Sequence, residues 1–267
     1  MAALAPYDVY AVRYAHHDRL ASENFLGGDP HNAPMPIDYF VWAIVGPDRC
    51  YVVDTGFDAA TGKKRGREVL RCPSEGLAAL GIDLGQVRDV IITHMHYDHC
   101  GNHHLFPDAT FHLQDLEIAY ATSRHMCHAP LGQAYEAEDV CAIVRRLFNG
   151  RVQFHDRTGE IAEGLTVHHI GGHTMGLQVV RVWTRRGWVV LASDASHFYA
   201  NMEQVRPFPI LYNLGDMLEG YRTLQKLAGS KKHIVPGHDP LVLKRYPAPK
   251  KGLEGIAVRL DVEPILD

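Results

Sequence analysis

The chain has 267 residues, 46% of them hydrophobic, and a net charge of −4, enough apolar material for one large core or two fused halves. That balance offers no basic surface for nucleic acid, and no apolar run approaches the roughly 20 residues needed to cross a bilayer. The start, MAALAPYDVYAV, lacks the charged and apolar regions of a signal peptide, and five cysteines without CxxC spacing argue for a reducing, cytoplasmic setting.

In chain order, 7–15 alternates as a first strand. Residues 38–46, the turn GPDR and 50–56 form a hairpin whose second strand, CYVVDTG, is almost wholly apolar and therefore buried. A helix is expected over 59–71, then a shorter one from Pro73 to Leu80 that Gly81 stops. VRDVIITH (87–94) is another buried strand and runs straight into HMHYDH. A strand over 109–113 precedes helices over 115–123 and 136–148. Strands follow at 165–171, 177–183 and 188–195. A strongly amphipathic helix spans 213–228, with Leu214, Leu218, Tyr221, Leu224 and Leu227 at helical spacing. The last strand, 231–239, ends in Pro-Gly-His-Asp. RCYVVDTG and GWVVLASD both place an aspartate, Asp54 and Asp194, at the end of a buried hairpin strand, a hint of two similar β-rich halves. No Pro/Gly/Ser linker separates them.

The chain holds 18 histidines, and their placement matters more than their number. Asp54, the run His94, His96, Asp98 and His99, then His173, Asp194 and His238 all sit just past a strand. Strand ends project onto one edge of a sheet, so residues far apart in sequence can converge there. A lone HxH pair is a weak signal; HxHxDH after a buried strand, with three more such residues at strand ends, is a strong one. Imidazole and carboxylate without thiolate suit a catalytic zinc, iron, manganese or cobalt site better than a closed structural one. Five histidines and two aspartates exceed one four-coordinate ion. Two divalent ions per chain fit better, with zinc the first choice and Asp194 as the bridge, because a carboxylate has two oxygens to share. Asp54 is either a turn residue before Thr-Gly or a support for the ligand loop. Cys100 reads as a packing residue.

HMHYDH resembles the HxHxDH signature of the metallo-β-lactamase superfamily. VVDTG, Gly-Gly-His173-Thr, Ser-Asp194 and Pro-Gly-His238-Asp239 resemble its other motifs in the same order, over about residues 38–240. The resemblance implies an α/β, four-layer αββα sandwich, with 1–267 one hydrolase domain. It implies that His94, His96 and His173 hold one metal, that Asp98, His99 and His238 hold the second, and that Asp194 bridges them. Asp54 would support His-bearing loops from outside. It further implies attack of a metal-bridging hydroxide on an ester-type carbonyl, with Asp98 relaying a proton to the leaving group.

Within that superfamily the chain looks like the N-acyl homoserine lactone lactonases. That implies opening of a lactone ring of the quorum-quenching type, with a small-molecule lactone or ester as partner. Those lactonases commonly carry a tyrosine three residues after the bridging aspartate; here His197 stands there and either donates a similar hydrogen bond to the carbonyl or merely lines the site. Two irregular segments are expected to shape the pocket, a lid at 16–37 and a substrate loop at 197–212. Phe25, Tyr97, Phe198 and Tyr199, with Phe208 and Tyr212, either face a partly apolar substrate or bury the loops or a homodimer contact. Another small lactone or ester, or a glyoxalase II-like thioester, is the alternative substrate on the same scaffold. The absence of a helical domain after residue 240 counts against the thioesterase.

Overall fold

The alternation along the second strand decides how the layers stack. The computed structural model describes residues 4–266. Its strands are β1 (Asp8–His17), β2 (Ile37–Val45), β3 (Cys50–Val53), β4 (Glu68–Val69), β5 (Asp89–Ile91), β6 (Thr110–Gln114), β7 (Val152–His155), β8 (Thr158–Ala162), β9 (Leu165–His169), β10 (Gln178–Thr184), β11 (Gly187–Ser193), β12 (Ile234–Pro236) and β13 (Ala257–Arg259). Phe40, Trp42 and Ile44 of β2 pack into a core shared with Val167, Val179 and Val182 of a second sheet. Tyr39, Val41 and Ala43, one step out of phase, pack with Leu77, Val140 and Ile143 of two helices. Because successive side chains in a strand point to opposite faces, one strand joins two apolar layers. This is why β2 is buried almost throughout rather than on one side. Each such large side chain, fully removed from water, contributes roughly 1.5–3 kcal/mol of transfer free energy.

The first sheet runs β13–β1–β2–β3–β5–β6–β7, with β4 beside β1; the second runs β12–β11–β10–β9–β8. Helices Pro73–Ala79 and Ala137–Phe148 cover the outside of the first sheet. On the outside of the second sheet, helix Leu214–Leu227 packs Met217, Tyr221 and Leu224 into the core it shares with β11. The layers are therefore helix, sheet, sheet, helix, as expected. No helix among the described residues is long and apolar enough to cross a membrane.

The expected helix over 59–71 is corrected. It occupies only Ala59–Arg65, because Gly66 takes the left-handed conformation (φ 65°) and its N–H closes onto the Gly62 and Lys63 carbonyls, a common way for a helix to stop. The chain is then free to form β4, which pairs Val69 with Ala15 and Glu68 with His16. The strand expected over 231–239 shrinks to β12, and that over 87–94 to β5. In both, the residues after the strand turn out of the sheet, and they include His94 and His238. The irregular segment 197–212 contains a short helix, Tyr199–Glu203, and strands β7, β8 and β13, of three to five residues, are too short for a pattern to announce them.

Candidate metal centre

The loops that leave β5, β9, β11 and β12 converge at one edge of the two sheets. β5 delivers His94 and His96, followed by one helical turn, Tyr97–Cys100, that carries Asp98 and His99. The turn after β9 brings His173. β11 ends at Ser193, a non-glycine residue at φ 45°, which reverses the chain at Asp194. Close packing fixes that reversal, since a Cβ on Gly237 would lie 2.7 Å from the Ser193 carbonyl group. The glycine of Pro-Gly-His thus lets the His238 and Asp194 loops touch.

Asp194 stands at the centre. Its Oδ2 lies 3.1 Å from His173 Nε2 and 3.7 Å from His94 Nε2. Its Oδ1 lies 3.0 Å from His238 Nε2 and 3.3 Å from His99 Nε2. Asp98 Oδ2 joins the second set, 3.6 Å from His99 and 3.7 Å from His238, while His96 Nδ1 joins the first, 2.9 Å from His173 Nε2. The ligating atoms of His94, His96, His173 and Asp194 all lie within 4.8 Å of one another, as do those of Asp98, His99 and His238.

Three buried atoms in this cluster, His94 Nε2, His99 Nε2 and Asp194 Oδ1, have no hydrogen-bond partner. Buried polar atoms are almost always paired, and the ones left over here bear lone pairs aimed at common centres. With only nitrogen and carboxylate donors present, the set fits divalent cations of the zinc, manganese, iron or cobalt type.

The outward nitrogens are fixed. His99 Nδ1 donates to Asp54 at 2.7 Å, His173 Nδ1 to the Ile210 carbonyl at 2.7 Å, and His238 Nδ1 to the Asp38 carbonyl at 2.9 Å. Each contact orients its ring and leaves Nε2 facing inward. Asp54 itself sits at φ 58° and also accepts from the Thr93 N–H and hydroxyl, both at 2.8 Å. Of its two expected readings, the structure realises the contact with a metal-type histidine.

Electrostatics follow the geometry. Burial, then the neighbouring imidazoles, push His94 and His96 well below the ordinary histidine pKa. Burial would raise Asp194, yet His197, His238, His99 and His173 together hold it well below the carboxylate range. Burial, the largest single influence, opposes protonation of His99 and His238, but Asp194 and Asp98 together, joined by Asp54 at His99, outweigh it and raise both.

His197 stands in the cavity wall and also contacts Asp194. Its Nε2 is 3.0 Å from Asp194 Oδ2, its ring lies face to face on Phe208 at 3.7 Å, and its free Nδ1 is buried. Burial drives its pKa down to about 3. A cavity of about 230 Å³ opens onto the cluster, with Asp98, Tyr97, His197 and Phe208 in its wall. Of the aromatics expected in the pocket, Tyr97 does line it. Phe25, Phe198 and Tyr199 do not: Phe25 is buried beneath Arg206, Phe198 packs into the helix-side core, and Tyr199 is covered by Arg245. Large apolar rings preferred the core to the wall, and Tyr212 packs on Tyr120. Cys100 is a buried packing residue.

Sequence reasoning missed Glu117. Fully buried, it accepts from Met95 N–H (2.8 Å), Tyr135 OH (3.0 Å), Thr174 OH (2.6 Å) and Gly176 N–H (3.1 Å). It therefore ties the His94–His96 loop to the His173 loop. Between Leu116 and Ile118 it looked like any helical glutamate, and only the close approach at Gly176, where a Cβ would meet the Glu117 backbone at 2.1 Å, betrays the contact.

The model of the metallo-β-lactamase superfamily matches residues 36–242. The N-acyl homoserine lactonase AttM of Rhizobium johnstonii is 30% identical over 166 residues, 61% of this chain and 62% of that protein's length. A probable metallo-hydrolase of Methanocaldococcus jannaschii is 26% identical over 64% of this chain and 66% of its own. The chain thus matches less than two thirds of either relative. Among solved structures, a quorum-quenching N-acyl homoserine lactone lactonase superposes with TM-score 0.73 at 19% identity, covering 89% of this chain and 94% of that one. The dizinc lactonase AidC, with its product N-hexanoyl-homoserine, gives 0.66 at 15% identity over 90% of each chain. On the family model's match, the fold and the convergent His/Asp cluster, the chain belongs to the metallo-β-lactamase superfamily.

Proposed function

We propose that the protein is a metal-dependent hydrolase that opens lactone rings. N-acyl homoserine lactones, the class named for its relatives, are the first candidates. The observation that carries this reading is the division of Asp194 between two sets of imidazoles, with partnerless buried atoms on both sides. In this reading His94, His96 and His173 hold one divalent cation, Asp98, His99 and His238 hold a second, and Asp194 is shared; zinc is the first choice. Such ions supply a nucleophilic hydroxide near neutral pH and polarise the ester carbonyl.

The chain's own groups do the rest. Asp98 lies in the cavity wall and is positioned to pass a proton to the departing alkoxide oxygen. His197 contacts Asp194 from the cavity wall, so its part is to orient that carboxylate, and its stacking on Phe208 shields that side. Asp54, Thr93 and Glu117 hold the ligand loops in register.

The test is direct. Metal-loaded protein is offered N-acyl homoserine lactones of several chain lengths, unrelated lactones, and matched thioesters and phosphoesters, with hydrolysis followed by proton release. Turnover of lactones, with about two metals per chain by elemental analysis, is the expected result. Turnover of thioesters or phosphoesters alone would overturn it.

A further inference from the structure

The cavity wall carries three arginines, Arg19, Arg65 and Arg67, which a pocket for a neutral acyl chain does not require. Such pockets are predominantly apolar and usually span about 300–1,000 Å³, whereas this one measures about 230 Å³. The three differ in their partners. Arg65 is neutralised by Glu136 at 2.8 Å and lies over the Tyr97 ring. Arg67 donates from Nε to the Tyr97 hydroxyl at 3.2 Å and from a terminal nitrogen to His17 Nε2 at 2.9 Å. Arg19 donates to the Asn24 side chain at 2.7 Å and the Glu23 carbonyl at 2.6 Å, and lies 5.1 Å from the Phe208 ring centre. Among the described residues, no carboxylate comes within the 4.0 Å ion-pair distance of Arg19 or Arg67. Both are half-buried.

Arg19 feels Glu23, and Arg67 feels Asp98, only from beyond ion-pair distance; a half-enclosed guanidinium without a close counter-charge is costly, and two on one small cavity leave a cationic rim. Their neighbour His17 is pushed below the ordinary histidine pKa by burial, then by Arg67 and Arg19. The rim is also tied to the metal-type cluster. Arg67 holds Tyr97, the residue between His96 and Asp98, and Arg19 rests against Phe208, which stacks on His197. We infer that the substrate is a small lactone or ester bearing a carboxylate, which Arg19 and Arg67 bind while the scissile carbonyl faces the His/Asp cluster. The guanidinium fork matches a planar carboxylate, and the small volume leaves room for a compact acid rather than a long chain. This rests on the hydrolase reading above.

Two probes with one ring separate the possibilities: γ-butyrolactone bearing a γ-carboxylate, and its neutral γ-carboxamide. The metal-loaded protein should show kcat/KM for the acid at least about tenfold above the amide, the scale of one charge-assisted contact. That ratio should fall toward unity in the Arg19→Gln/Arg67→Gln double variant and return in part with Arg67→Lys, which keeps the charge. Equal rates on both probes would overturn the carboxylate assignment and leave the lactone hydrolase standing. If neither ring opens, the lactonase reading is in question, and calorimetric titration with the ring-opened hydroxy diacid decides the anion site by itself. Binding lost in the double variant supports it; binding that is absent, or unchanged in the variant, overturns it.

Discussion

Asp54 and Asp194 close two hairpins of the same design, β2–β3 and β10–β11, and each occupies a reversal forced through a left-handed non-glycine residue, Asp54 itself or Ser193. Both are buried. Their surroundings differ. Asp54 is met by protein donors at 2.7–2.8 Å, from Thr93 and His99. Asp194 faces imidazole nitrogens on both oxygens, and Oδ1 lacks a hydrogen-bond partner. One carboxylate is completed by the chain, whereas the other is left to be completed by something positively charged. A repeated turn can therefore serve once as scaffold and once as site, and what separates the two is who supplies the counter-charge.

That contrast can be broken most severely at Asp194. Asp194→Ala should cost metal content in both ligand sets and lower kcat/KM by more than about 100-fold, beyond the usual range for groups behind the ligands. Retention of two metals per chain, measured by elemental analysis, would remove Asp194 from the centre. Asp54→Asn tests the other half. Asparagine tolerates the left-handed conformation, so the change spares the backbone and strikes the oxygen shared by His99 and the Thr93 hydroxyl; competition with a chelator should read a loss of about 10–100-fold in metal affinity. An effect as large as that of Asp194→Ala would erase the distinction between them.

Asp139 supplies a third kind of carboxylate, with neither protein donors nor imidazoles. Burial, then Glu136 and Asp58, raise its pKa to about 7. The folded state then holds a proton that the unfolded chain releases near the ordinary aspartate pKa. Its contribution to stability is intact at low pH and is lost as pH rises toward and through 7. Asp139→Asn should therefore raise Tm slightly at pH 8, with the gain vanishing by about pH 4, near the unfolded-state pKa. A gain of equal size at both pH values would show that charge is not the cause.

Much of this was readable in the sequence because period and position carry it. The apolar run of β3 marked it as buried, and the placement of polar residues just past apolar strands located the edge where they meet. What was hidden depended on contacts between distant segments. Arg19, Arg65 and Arg67 look like surface residues in any window, and the cavity gathers them only after β4 pairs with β1 and 16–37 folds over. Glu117 is equally ordinary until Gly176 lets the His173 loop rest on it. Phe25, Phe198 and Tyr199 lie outside the cavity wall for a related reason: a ring beside a site is indistinguishable in sequence from a ring in the core.

The pairing of Asp38 with His238 bears on motion. The Asp38 N–H donates to the His238 carbonyl at 2.9 Å while His238 Nδ1 donates back to the Asp38 carbonyl, and the Asp38 side chain is held by His16 at 2.7 Å. The downstream end of segment 16–37 is thus fastened to the last histidine of the cluster. Any displacement of Asp38 would therefore be felt at the His238 ring, so the end of that segment and the cluster form one mechanical unit.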